Sequence, residues 1–369
     1  LAIPTTYFSA QLLLIISFLL LGIWSSTFKM AGNRWRFELF SFDFAIGASL
    51  LAVLAAFTLG SFASDLGFSE HMMLSSRTSQ VVTFAAGCAF AVGNMLLLCG
   101  AALVGLSFAY AITTASALLA LSVFEFTGIR ALFLGVAVGA ALLSIIFQAM
   151  GAKSSEATLP GVSLPIMVRK SASGRTLKPK RDTGLPNSTK GIMVTVFGGL
   201  TLGAIVVPFH NAVFGQFGLG AFAGLVFFFG GVLTATVLLN LFFMNVPIHG
   251  GGYSFSSYFG GGAGQHLLGI VGGVFCAAGI LFLLIIYGFP PDAQVDTTWV
   301  AAAALGASLL AIALGLSKWH ELSQAPGSAS RSLIIGSLLL VVAMGGFAMA
   351  LDELPPPPIP GSIQTQSPG

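Results

Sequence analysis

The sequence predicts an all-α integral membrane protein whose ten transmembrane helices form two inverted five-helix repeats. Three observations lead there. Only 7% of the 369 residues are Asp, Glu, Lys or Arg, against 56% apolar, and the mean hydropathy is +0.95. Ten continuous apolar runs follow one another, each near the roughly 20 residues that a spanning helix needs. Thirteen of the fifteen Lys and Arg residues fall in loops on one side of those runs. So little charge cannot cover a water-soluble surface, where about 25% of residues are charged. Disorder is excluded by the same scarcity. A net charge of +3 leaves too little basic surface for a nucleic-acid partner.

Each element has its own reason. The run 7–28 lacks a basic leader and is too long for a secretory signal, so it reads as helix 1. Helix 2, 37–60, begins after Arg34 and Arg36 and carries Glu38 and Asp43. Helix 3, 81–102, holds Gly87 and Asn94 seven residues apart on one face. Helix 4, 105–124, stops before Glu125, and helix 5 covers 130–150. Residues 151–190 form a loop rich in Ser, Pro, Lys and Arg. Helix 6, 191–213, contains Pro208, which frees a carbonyl near its end. Helix 7 is 220–243. Helix 8, 266–287, presents a small-residue stripe of Gly269, Gly272, Gly273, Cys276 and Gly279, suited to close packing. Helix 9, 297–317, stops before Lys318-Trp319-His320-Glu321, and helix 10 is 331–351. The tail 352–369, with Pro355 to Pro358, reads as extended and disordered. Continuous rather than alternating runs exclude barrel strands.

The division is therefore 1–150, 151–190, 191–351 and 352–369: a first repeat, a basic loop, a second repeat and a tail. The positive bias places the central loop in the cytoplasm and both termini outside; the resemblance given below implies a bacterial inner membrane. Helices 1 and 6 share a Leu-Gly step and a Phe-basic step, at Leu21-Gly22 and Phe28-Lys29 against Leu202-Gly203 and Phe209-His210. Glu125 and Glu321 close the fourth and ninth helices alike. An odd number of helices per half makes the halves inverted, and inverted repeats are a transporter architecture. Cys88, Cys99 and Cys276 lie scattered in apolar runs, which gives neither a disulfide framework nor a metal site. No cofactor motif is present: the glycine-rich loop 249–266 lacks the Lys and Ser/Thr of a phosphate loop.

The run Trp35-Arg36-Phe37-Glu38-Leu39-Phe40, with Phe42-Asp43-Phe44 and Ala56-Phe57-Thr58-Leu59-Gly60, resembles bacterial relatives of the plant ureide permeases. Gly93-Asn94, Val104-Gly105-Leu106-Ser107, Phe227-Phe228-Phe229-Gly230, Tyr258-Phe259, His266-Leu267-Leu268-Gly269-Ile270 and Lys318-Trp319-His320-Glu321 extend the resemblance over nearly the whole chain. It implies the drug/metabolite transporter superfamily, which also holds glucose/ribose-type sugar carriers and exporters. This chain departs from the ureide carriers at Ile280, where they have Asn, and it carries no GxxxxGK[ST] in the central loop.

The candidate residues follow from what is costly in a bilayer. Asp43, inside helix 2, is a carboxylate that must pair, meet water or carry a proton, so it is the candidate coupling site. The bland alternative is an ion pair with Lys29 or Arg36. Glu38 beside Arg36 reads as an interfacial ion pair or a helix cap. Trp24, Thr27 and Phe28 share one face of helix 1 and suit a flat ring, or else anchor at the interface. Asn94 bonds solute or glues helices. Tyr110 and Thr114 line one face of helix 4 with Ser107, facing a cavity or bonding back to carbonyls. Phe209, His210 and Asn211 follow the Pro208 kink, the kind of interruption that marks transporter sites.

The expected function is secondary active transport of a small organic solute, by alternating access and with protons as a candidate coupling ion. The resemblance implies a ureide, a nucleobase-like heterocycle or a sugar. An exporter of the same fold, or a scaffold or sensor, is the alternative reading, and an intramembrane enzyme lacks its motifs. The expected partners are the solute and the bilayer, with a homodimer left open.

Overall fold

A computed structural model describes residues 6–32, 35–61, 67–123, 131–158, 186–245, 256–289, 293, 295 and 297–351. The tail 352–369, Glu125 and most of the central loop lie outside the described residues. Every regular element described is helical.

The first apolar run becomes two helices, α1 (Tyr7–Ile23) and α2 (Ser26–Ala31). Thr6 and Ser9 cap α1 reciprocally, each side-chain oxygen accepting the other's backbone N–H. The sequence reading expected one helix over 7–28. Instead the chain tightens at Trp24 and Ser25, where Thr27 N–H donates to Trp24 O at 3.1 Å and Phe28 N–H to Ser25 O at 3.2 Å. These are three-residue steps, and Thr27 Oγ1 also donates to Trp24 O at 2.7 Å. A hydroxyl competing for a helix carbonyl favours such a distortion.

Next come α3 (Phe37–Phe57), α4 (Phe68–Leu74), α5 (Arg77–Val104), α6 (Leu106–Ser122) and α7 (Ala131–Thr158). The second half holds α8 (Asn187–Phe214), α9 (Gly220–Asn245), α10 (Ser256–Phe259), α11 (Ala263–Tyr287), α12 (Thr297–Ser317) and α13 (Gly327–Leu351). The short helices α4 and α10 were not expected, because neither is long enough to show an apolar run. Both α7 and α8 also reach into the loop expected at 151–190. Glu156 explains the near end of α8: its carboxylate accepts from Asn187 N–H at 2.9 Å and Ser188 N–H at 3.0 Å. A negative charge there meets the positive end of the helix dipole.

Nine of the described helices are long and apolar enough to cross a membrane, counting Tyr7–Ala31 as one, and Leu106–Ser122 is a shorter tenth apolar helix. The chain is an all-α, multi-pass integral membrane protein. Lipid forces this choice, because a helix satisfies its own backbone hydrogen bonds where water is missing.

Small residues set the packing. α3 packs on α11 and α9, α5 on α8 and α9, α6 on α8 and α12, α1 on α11 and α12, and α7 on α13. A methyl at Gly47 would strike the Ile270 carbonyl, and one at Gly273 would strike that of Phe44, so α3 and α11 touch backbone to backbone. On the other side Gly87 of α5 meets the Phe228 carbonyl of α9 in the same way.

Candidate functional site

The site forms where α3 and α11 cross. Asp43, two turns into α3, is 1% exposed. Its Oδ1 accepts from Tyr258 Oη at 2.5 Å. His266 Nδ1 lies 2.9 Å from Oδ1 and 3.1 Å from Oδ2. Gly269 makes the approach possible, since a side chain there would overlap Asp43 Cβ. Aromatic rings close the box: Trp35 and Tyr258 meet the His266 ring edge-on at 4.8 and 4.6 Å. Phe42 lies 5.1 Å from Tyr258. Burial, then the hydrogen bond and charge of Asp43, push the Tyr258 hydroxyl well above its ordinary pKa, so it remains a donor.

Asp43 pairs with neither Lys29 nor Arg36. Arg36 forms a bidentate pair with Glu38, at 2.6 Å from Nη2 and 3.1 Å from Nε. Glu38 is fully buried, so this carboxylate is deeper than an interfacial cap. Lys29 turns to Glu321, with Nζ–Oε1 at 2.7 Å. Among the described residues these ion pairs gather at one end of the bundle, around the start of α3 and α11 and the end of α2 and α12.

Above that end lies a neutral interior. Trp24 packs on Phe44 at 5.0 Å and Phe28 on Phe40 at 5.2 Å between ring centres. Thr27 faces α11, because a methyl at Gly272 would collide with Thr27 Oγ1. Tyr110 is 6% exposed and shares the apolar cluster of Trp24, Phe28 and Cys276. The buried Ser25 and Tyr110 hydroxyls face each other outside hydrogen-bond geometry. Neither has a hydrogen-bond partner among the described residues, and neither does the Ser26 hydroxyl. Asn94 on α5 and Thr114 on α6 are also buried, at 4% and 8% exposure. Thr113, next to Thr114, donates to the Thr195 carbonyl of α8 at 3.3 Å.

Phe209, His210 and Asn211 do not join this group. They lie in the last turns of α8, at the other end of the bundle. Phe209 packs on Phe228 at 4.7 Å, within a different apolar cluster. His210 and Asn211 are exposed, and the His210 ring meets Tyr287 and Phe214 at 5.0 and 5.3 Å. Pro208 falls inside α8, which continues to Phe214, so no broken helix carries them inward.

Trp35, Tyr258 and His266 enter the sequence analysis only as carriers of the family resemblance, and neither they nor Ser25 stand among its candidate site residues. Tyr258 lies within the glycine-rich stretch 249–266 and His266 ends it, and glycine there points to a phosphate loop before it points to a histidine site. The available signal is a histidine one turn into an apolar helix, at the same end as the carboxylate Asp43.

Among the described residues no group of three His, Cys, Asp or Glu side chains is placed to hold a metal. No protein-family model matches the chain, and no curated protein matches it. One solved structure, described only as a crystal structure of a protein, aligns over 92% of this chain and 96% of its own. It shares 16% identity at a TM-score of 0.47. The class defined here is thus a multi-pass membrane protein with a buried acid–histidine–tyrosine cluster.

Proposed function

We propose that this protein is a secondary active transporter of a small organic solute, coupled to protons at Asp43. One observation carries the reading: a buried carboxylate on α3 is held by His266 of α11 and Tyr258 of α10. These groups belong to the two sequence halves. Proton uptake by the carboxylate would weaken its hold on His266, so α11 would be freed from α3. Protonation then biases the equilibrium between two arrangements of the halves.

The helix pairings support an inverted repeat. Number the ten apolar helices in chain order, taking α1 with α2 as the first. Exchanging the first five with the last five turns the α1–α11 pairing into α8–α5, and α1–α12 into α8–α6. The same exchange turns α3–α11 into α9–α5, while α3–α9, α6–α12 and α7–α13 map onto themselves. That pattern fits the rocking of two related halves. The basic end would face the cytoplasm by the positive-inside rule, with both termini outside.

The neutral interior of Trp24, Ser25, Phe28 and Tyr110 suits an uncharged solute with a flat face and hydrogen-bonding groups. A ureide, a nucleobase-like heterocycle or a sugar fits, in line with the resemblance to ureide permeases and sugar carriers in the drug/metabolite transporter superfamily. The test is uptake into proteoliposomes under an imposed pH gradient, across a panel of these solutes. Asp43→Asn should abolish accumulation and keep binding; accumulation at the unaltered level would overturn the coupling role.

A further inference from the structure

We propose that Lys29 and Glu321 form an ionic latch that holds the basic end of the bundle shut. This inference rests on the alternating-access reading. Glu321 follows α12, and its carboxylate accepts four donors from two other elements. Lys29 Nζ and Leu106 N–H reach Oε1, each at 2.7 Å. Ser107 N–H and Ser107 Oγ reach Oε2, each at 2.9 Å. One carboxylate therefore joins α2, the first turn of α6 and the α12–α13 connection. The connection is itself held in shape: Glu321 N–H donates to Gly315 O at 3.2 Å, and His320 adopts φ 48°. Gly105, at φ +93°, brings the α6 backbone within 3.2 Å of the Glu321 carboxyl carbon, counted from where a Cβ would sit.

The four bonds divide into two kinds. Those to Leu106 and Ser107 cap α6, and a helix N-terminus favours a carboxylate there in any conformation. The Lys29 bond is different in the element it ties: all four bonds run from the first half to the second, but this one holds α2, whereas the other three belong to the N-terminus of α6. Lys29 sits on α2, beyond the tightened turn at Trp24 and Ser25. Thr27, Phe28 and Ala31 bury one side of this six-residue helix, and Gln265 Nε2 of α11 donates to Ala31 O at 3.2 Å, so α2 is seated on α11 and the Lys29–Glu321 bond is what ties it to the α12–α13 connection. Opening the basic end requires α2 to leave the α12–α13 connection, and the Lys29–Glu321 bond must break first. Ser25, at the turn, lies at the inner end of the path so exposed.

Accessibility tests this directly. Ser25→Cys is placed in sealed vesicles of known orientation and exposed to a membrane-impermeant maleimide from the basic side. The three native cysteines are half-buried or buried, and the protein without Ser25→Cys serves as the blank. Lys29→Met keeps the cap on α6 and removes only the bond from α2. It should raise labelling from the basic side about tenfold, a shift in line with losing one charge-assisted contact. Lys29→Arg should return it to the starting level. Equal labelling with Lys, Met and Arg at 29 overturns the latch and leaves Glu321 as a helix cap alone. Solute uptake, measured in matched vesicles of the protein that keeps Ser25, keeps the two ideas separate. Uptake with unchanged labelling overturns only the latch, whereas no labelling of Ser25→Cys from either side and no uptake overturns the transport reading as well.

Discussion

Asp43 and Gly269 touch so closely that any side chain at 269 would overlap the Asp43 Cβ. The carboxylate owes its place to this missing side chain. Gly269→Ala should therefore push α11 from α3 and pull His266 away from Asp43. The expected cost is about 1–3 kcal/mol, the range for overpacking a dense interface. Thermal unfolding in detergent measures it. A melting temperature equal to that of the unaltered protein would mean that α3 and α11 are looser than described.

Tyr258→Phe removes the hydroxyl that donates to Asp43 and keeps the ring contacts with Trp35, Phe42 and His266. A hydrogen bond to a charged group contributes about 1.5–3 kcal/mol. Its loss should alter the pH dependence of uptake and lower the melting temperature, while the retained ring contacts keep the protein folded. An unchanged pH profile would assign Tyr258 a packing role.

Acid should weaken the contact at Glu321. Burial opposes its charge, but Lys29 and the Leu106 and Ser107 amides outweigh burial and hold its carboxyl below the ordinary 4.5. A lowered folded value means that the group contributes stability above its unfolded value. That contribution is complete above about 4.5 and is lost as pH falls through the folded value. Melting curves between pH 7 and pH 3 should show an acid-side decline that Glu321→Gln reduces. Parallel curves for the two proteins would contradict the assignment.

Gly105→Ala meets two obstacles together. At φ +93° and ψ 158° the backbone is in a region that residues with a Cβ rarely adopt, which costs about 1–3 kcal/mol. The new methyl would also sit 3.2 Å from Glu321 Cδ and Oε2. Loss of stability should exceed that of Gly327→Ala, where nothing lies within 4 Å of the new methyl. Equal losses at the two positions would argue against strain at Gly105.

Replacing Tyr110 by Phe tests the neutral interior. Tyr110 Oη is buried without a hydrogen-bond partner among the described residues, so the folded protein alone gains little from it. Tyr110→Phe should leave the melting temperature unchanged or raised and should increase the KM for a hydrogen-bonding solute. A fall in stability with unaltered KM would show that the hydroxyl serves the fold.

Much of the architecture was legible because the bilayer imposes a simple rule. Of the ten runs expected to span, nine correspond to described helices long and apolar enough to cross a membrane, counting Tyr7–Ala31 as one, and the tenth is the shorter Leu106–Ser122. Asp43 stood out for the same reason, as a carboxylate where lipid tolerates few. The small-residue stripe on helix 8 signalled close packing, and Gly269 and Gly273 do touch α3. The partners were not legible. Asp43 was weighed against Lys29 and Arg36, which are near in sequence, and its actual partners lie 215 and 223 positions away. Phe209, His210 and Asn211 were grouped with the interior because of Pro208, yet α8 absorbs the proline and leaves them at the other end.

Hydropathy and length thus set the kind of the helices and the place of the apolar ones, since those depend on each segment's own contact with lipid. Which charges meet was left to the packing of α3 against α11 and of the α12–α13 connection against α2 and α6. Those meetings depend on where glycines let backbones approach, at distances that no local pattern along the chain records. A membrane carboxylate can be found by its cost; its partners are found only where the helices cross.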